Sequence, residues 1–150
     1  MRRTGRHVGV AAALLLLPVA GCGESSVDSY CGEVQEHRKQ IAEMVSSEEG
    51  PGALLDGLPL LRELADAAPD DISDEWQTFL TAVENLDAAL EDAGASPEEF
   101  EKGRAPEGVS AADRRAVADA ASGLTTEEVV GAAAGIEQQA RDVCKVNFGL

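Results

Sequence analysis

The chain has 150 residues, with 12 Lys and Arg against 28 Asp and Glu, and a formal net charge of −16 at pH 7. That length suffices for one compact domain, and so large an acidic excess repels nucleic acid and anionic headgroups, which excludes a DNA- or RNA-binding role. Aromatic residues are 3% of the chain, one Trp, one Tyr and three Phe, which argues against a carbohydrate site built from stacked exposed rings.

The first 22 residues, MRRTGRHVGVAAALLLLPVAGC, fall into three parts. Arg2, Arg3 and Arg6 put positive charge at the extreme N-terminus, with no acid before Glu24. An apolar run over 8–20 follows, interrupted only by Gly9 and Pro18. It has the length of a signal-peptide core and falls short of the roughly 20 apolar residues of a membrane-spanning helix. The third part, Val19-Ala20-Gly21-Cys22, resembles the lipobox of bacterial prolipoproteins. The resemblance implies that 1–21 is a signal peptide, that Cys22 becomes the N-terminus and carries acyl groups such as palmitate, and that the protein is held on the extracytoplasmic face of the cell membrane. Each buried methylene contributes about 0.8 kcal/mol, so two or more chains anchor a protein stably where one does not. The alternative is a secretory signal cut at a small-residue site, with Cys22 incidental. Arg2-Arg3 is followed by Thr4-Gly5-Arg6 rather than by the apolar pair usual in twin-arginine signals, which favours the general export route.

Removal of 1–21 leaves 129 residues and takes away three of the twelve basic residues, so the formal charge falls to −19. Such a surface keeps an exported protein soluble and suits cationic partners. Cys31 and Cys144 are the cysteines left once Cys22 carries lipid, and an even pair in an exported chain is expected to form a disulfide. It would close a loop of more than 100 residues, which contributes nearly 5 kcal/mol (about) on chain entropy alone. A metal pair or reactive thiol finds no neighbouring His or Cys to support it. The preponderance of Ala, and of Arg over Lys, is that of a GC-rich genome.

Residues 22–27 read as a short Gly/Ser tether, and 28–150 as the acidic domain. Tyr30, Val34, His37, Ile41 and Met44 trace one face of a helix to about Val45. Gly50-Pro51-Gly52 interrupts, and a second helix is expected over 53–68 with Leu54, Leu55, Leu58, Leu61, Leu64, Ala65 and Ala68 inward. Pro59 places the proper start of that helix near Leu58, where a missing N–H costs nothing. The third helix has the clearest stripe, from Ile72 through Trp76, Phe79, Leu80, Val83 and Leu86 to Leu90, with Asp71 or Ser73 as cap and Gly94 as stop. Ser96-Pro97-Glu98-Glu99 opens a short segment that Gly103, Pro106 and Gly108 break up. Ser110 caps an Ala-rich helix ending at Gly123, and Thr125 with Glu128 opens the last, with Val129, Ala133, Ile136, Ala140 and Val143 inward. Gly131 and Gly135 weaken that helix but let a neighbour pack closely. The expected fold is all-α: a small antiparallel bundle of four main helices plus a short one, with the disulfide joining the first and last helices.

Catalysis needs a nucleophile, a base or a metal. After the leader the only histidine is His37, on an apolar stripe; a packed residue bonded to a carbonyl or carboxylate explains it better than a lone base without partners. The acid clusters, Glu48-Glu49, Asp70-Asp71 with Asp74-Glu75, Glu98-Glu99 with Glu101, and Glu127-Glu128, lack the calcium-loop pattern and sit mostly at helix starts, where negative charge is stabilising. Trp76 and Phe79 read as core, and an apolar groove is not indicated. Tyr30-Cys31, the run Ala68-Pro69-x-x-Ile72-x-x-x-Trp76 and a late Cys144 are together similar to small uncharacterised exported proteins of actinobacteria. That resemblance implies a helical extracytoplasmic domain and no particular activity. The expectation is a membrane-anchored binding or protein-interaction module, with a possible protein partner in the cell envelope. The alternative is a carrier of a small apolar or cationic ligand; neither catalysis, a cofactor nor a metal is expected.

Overall fold

Apolar stripes at spacings of three and four can be buried only by packing helix faces together. A computed structural model describes residues 23–46, 51–101 and 108–148, and every regular element among them is helical. The elements are α1 (Gly23–Glu36), α2 (Arg38–Ser46), α3 (Pro51–Asp56), α4 (Leu58–Ala67), a 3-10 turn (Asp70–Ile72), α5 (Ser73–Ala93), α6 (Pro97–Glu101), α7 (Ala111–Gly123) and α8 (Glu127–Asp142). The leader and Cys22 lie outside the described residues, as do Glu48 and Glu49. Among the described residues no helix is long and apolar enough to cross a membrane.

The all-α expectation holds, but eight helices stand among the described residues where four main ones and a short one were expected. Two of the expected helices are divided. The first is α1 and α2, bent at His37 although His37 N–H still reaches Glu33 O (2.9 Å) and Ile41 N–H reaches His37 O (3.0 Å). Helix α1 begins at Gly23, within the stretch read as a tether. The second is α3 and α4, parted at Gly57 because Pro59, in the first turn of α4, has no N–H to continue the ladder. Leu60 is buried there beside the expected Leu58, Leu61 and Leu64.

Caps explain the remaining boundaries. Gly94, at φ 62°, ends α5, with Ala95 N–H on Leu90 O (3.1 Å) and Gly94 N–H on Glu91 O (3.0 Å), the left-handed stop that glycine favours. Ser110 Oγ accepts from Asp113 N–H (3.1 Å), as expected. For α8 the cap is Thr126, accepting from Val129 N–H (3.4 Å), not Thr125, whose hydroxyl donates to Ser122 O. The start of α5 has no side-chain cap: Ser73 Oγ donates to Asp70 O (3.1 Å), because the 3-10 turn already leads the chain into the helix.

Helix α5 is the axis of the molecule, packed against α8, α7, α4 and α3. Its first half, with Trp76 and Val83, belongs to the main core; its second half, with Leu86 and Leu90, joins Val117 of α7 in a smaller cluster. At Gly135 of α8 an added Cβ would stand 3.1 Å from Glu75 Cγ of α5, so this glycine does allow close approach, whereas Gly131 faces open space. Cys31 and Cys144 are bonded across a sequence separation of 113, tying α1 to the segment just past α8. Closing so long a loop stabilises by about 5 kcal/mol on chain entropy alone.

Candidate functional site

The main core leaves a gap. One wall comes from α1 and α2 through Val34, Ile41, Met44 and Val45, the other from α8 through Val130, Ala133, Ile136 and Ala140. Leu61 and Leu64 of α4 with Trp76 and Phe79 of α5 line it between the walls, and Phe148 joins from the C-terminal segment. The cleft holds about 300 Å³, the lower end of the range for small-ligand sites, which runs from about 300 to 1,000 Å³. It exists because each wall packs elsewhere, α1 mainly on α4 and α8 mainly on α5.

One end of the cleft is tightly constructed. Tyr30 is fully buried and Trp76 is 4% exposed; Trp76 Nε1–H donates to Tyr30 Oη at 3.2 Å. Their rings meet edge to face with centroids 6.4 Å apart, and Trp76 meets Phe79 in the same way at 6.4 Å, an arrangement favoured by the ring quadrupoles. The disulfide lies directly behind, since Cys31 follows Tyr30 in α1. Gln35 Nε2–H donates to Cys144 O (3.1 Å), and Val146 N–H bonds Ala140 O (2.9 Å) across the left-handed Lys145 (φ 59°), folding the C-terminal segment back so that Phe148 reaches the cleft. Burial raises the Tyr30 pKa; the Trp76 hydrogen bond opposes the shift and the Asp71 charge adds to it.

Elsewhere the lining is open, with Ala134 exposed. Val45 and Val130 are 40% and 55% exposed, apolar lips on the two walls. Among the described residues, the lining has one ionisable side chain besides Tyr30, Glu137, which is paired with Arg141 one turn on.

Cys31 and Cys144 meet, and Tyr30, Trp76 and Ile72 join them in one buried cluster. His37 does not enter the cleft; its Nε2 stands 3.8 Å from Glu33 Oε2, with the side chain 28% exposed, so it is a half-exposed residue at a bend rather than a buried one. The acids Asp70, Asp71, Asp74, Glu75, Glu98, Glu99, Glu127 and Glu128 occupy first helical turns, where charge suits the helix dipole. Among the described residues no group of three or more His, Cys, Asp or Glu side chains is placed to hold a metal ion. Val143, expected inward, is 43% exposed, because α8 turns Val129, Ala132 and Gln139 into the protein and leaves Ala133 and Ile136 to the cleft. Val45 and Val130 lie one position off the stripes of Met44 and Val129, so neither stripe points to the groove. No protein-family model, curated protein or solved structure matches the chain.

Proposed function

We propose that this chain is an extracytoplasmic lipoprotein, anchored in the cell membrane through Cys22, that binds an apolar ligand in the cleft between α1–α2 and α8. The charge, apolar core and lipobox of the leader support the address. The observation that carries the binding role is the cleft, an apolar, half-open gap of about 300 Å³ in the main core. It favours an apolar over a cationic cargo, since the one carboxylate in its lining is occupied by Arg141. No catalytic step, cofactor or nucleic acid enters this reading. A protein partner in the envelope is the second reading, favoured by the exposed lips Val45 and Val130, which such a partner would cover.

The test uses the chain with Cys22→Ala, purified in soluble form, beside the lipidated protein from envelopes. Apolar compounds at a hundredfold excess over Kd should raise Tm by on the order of 10 °C, and solvent extraction of the envelope form should release a bound small molecule. No shift with any apolar compound, together with a stoichiometric protein copurifying with the lipidated form, would replace the carrier reading with the second. Failure of Cys22→Ala to lose metabolic palmitate labelling would remove the anchor.

A further inference from the structure

Helices α5 and α8 turn other faces, away from the cleft, to a second concave surface that shares no lining residue with it. We propose that this trough is a docking site for an extended, Lys- or Arg-bearing segment of a partner protein. The inference is independent of the binding role just proposed for the cleft.

Three helices make the trough. Helix α5 supplies Gln77, Thr78, Thr81 and Asn85, α7 supplies Asp119 and α8 supplies Glu128, around a hollow of about 530 Å³ that is open to solvent. Through Thr78 and Glu128 the surface runs on to Asp74 and Glu75 at the start of α5. Its floor is small and apolar. Ala82 and Val129 are buried there, and Gly123 and Gly131 line it with open space where a Cβ would stand. Neither glycine has a positive φ, so neither packing nor backbone conformation requires it, and each lowers helix stability relative to Ala. What a bare backbone provides is close approach for another chain.

The chemistry of the lining selects the occupant. Among the described residues, Gln77, Thr78, Thr81 and Asn85 have no side-chain hydrogen-bond partner, and Asp119 and Glu128 have no ion pair. No Lys or Arg lines the trough, and Arg115, one turn before Asp119, does not pair with it. Carboxylates on α7 and α8, in a chain of net charge −16, favour a cationic occupant. The neutral groups narrow the choice. Amides and hydroxyls both donate and accept; a polyamine only donates, whereas a peptide backbone does both. A sugar also does both, but no aromatic ring lines the trough for it to stack on. The segment is extended because a helix satisfies its own backbone groups. Gln77, Thr81 and Asn85 recur at four-residue intervals along the continuous α5, about 6 Å per step. That is close to the roughly 6.7 Å between same-side residues of an extended chain.

The experiment follows the fluorescence anisotropy of short, end-blocked, fluorescein-labelled peptides of alternating Lys and Ala, or Arg and Ala, with the Cys22→Ala protein. Salt is held at about 0.15 M, where attraction beyond about 8 Å is screened. Binding should saturate at one peptide per protein. Asp119→Asn with Glu128→Gln should weaken it about fivefold or more. Asp56→Asn with Asp66→Asn, the same change of charge on exposed acids of α3 and α4, should alter it by less than about twofold. Thr81→Ala with Asn85→Ala leaves the charge unchanged and should still weaken binding about threefold or more. Gly131→Leu should abolish binding while Tm holds or rises, because the new side chain enters open space on a better helix former. A peptide N-methylated at its Ala residues, unable to donate from those amides, should bind about fivefold more weakly. Equal effects of the two charge-neutralising pairs, or no loss with Thr81→Ala and Asn85→Ala, would reduce the attraction to general electrostatics and overturn the site. Displacement by spermidine at equal charge, with the N-methylated peptide bound as tightly as its parent, would overturn the peptide in favour of a polyamine. Absence of saturable binding by both peptides overturns the proposal outright, and the Tm shift with apolar compounds then still reports on the cleft by itself.

Discussion

Tyr30 carries more of this molecule than its size suggests. It is fully buried, it supplies the acceptor for the Trp76 indole, and it precedes the bridged Cys31. Burial favours its neutral form, so its pKa in the folded chain lies above the ordinary value of 10.0. The unfolded chain loses this proton first as pH rises, so the stabilisation is complete below pH 10 and is lost above it, as pH climbs through the folded value. Tyr30 is the only tyrosine, and its phenolate absorbance near 295 nm is therefore free of overlap. Absorbance and far-UV circular dichroism should change together above pH 10; a phenolate signal with midpoint at 10 and intact helix would contradict the burial. Tyr30→Phe should flatten the alkaline loss but lower stability at neutral pH by about 1–3 kcal/mol, because the buried indole N–H is left without its acceptor.

At the scale of the elements, two glycines separate conformational cost from contact. Gly57 lies where α3 passes into α4, and a Cβ there would come within 2.6 Å of the Met44 side-chain tip and 3.3 Å of Ala53 O. Gly131 lies inside α8 with open space around it. Gly131→Ala should stabilise by up to about 1 kcal/mol through helix propensity. Gly57→Ala should destabilise despite the same propensity gain, by about 1–3 kcal/mol, since Met44 is buried and the carbonyl of Ala53 cannot move freely. Denaturant unfolding of both variants checks the pair, and a stabilised Gly57→Ala would show that Met44 repacks at little cost. These helices were largely legible in the sequence, because stripes such as Ile72–Leu90 and breakers such as Pro59 and Gly94 act locally. The joints and caps were less so. Whether Thr125 or Thr126 caps α8 is a one-residue difference between equivalent hydroxyls, and the bend at His37 has no breaker residue to announce it. The cleft was illegible for a different reason: it is the space between walls that pack on other partners, and no single stripe encodes the distance between two helices.

For the whole molecule the dominant fact is charge. Twenty-eight acids face twelve bases, and the ion pairs among the described residues, Lys39–Glu43, Arg62–Glu84 and Arg141–Glu137, involve side chains at least a quarter exposed. Exposed pairs of this kind contribute about 0–1 kcal/mol each, while the surplus carboxylates repel one another over distances that salt controls. Raising ionic strength from 0.01 M to 0.15 M shortens the screening length from about 30 Å to about 8 Å. That leaves contact pairs partly intact and removes most of the long-range repulsion, so the net effect is stabilising. The Tm at pH 7 should rise by several degrees across this range (roughly 3–8 °C for about 1–2 kcal/mol in a domain of this size). Sodium chloride and choline chloride should act equally, because screening depends on ionic strength and not on the identity of the cation. A rise with sodium alone would point to cations bound at specific carboxylates, and a fall in Tm with both salts would mean that the few ion pairs outweigh the repulsion. Calorimetric scans of the Cys22→Ala protein in the two salts distinguish the three outcomes.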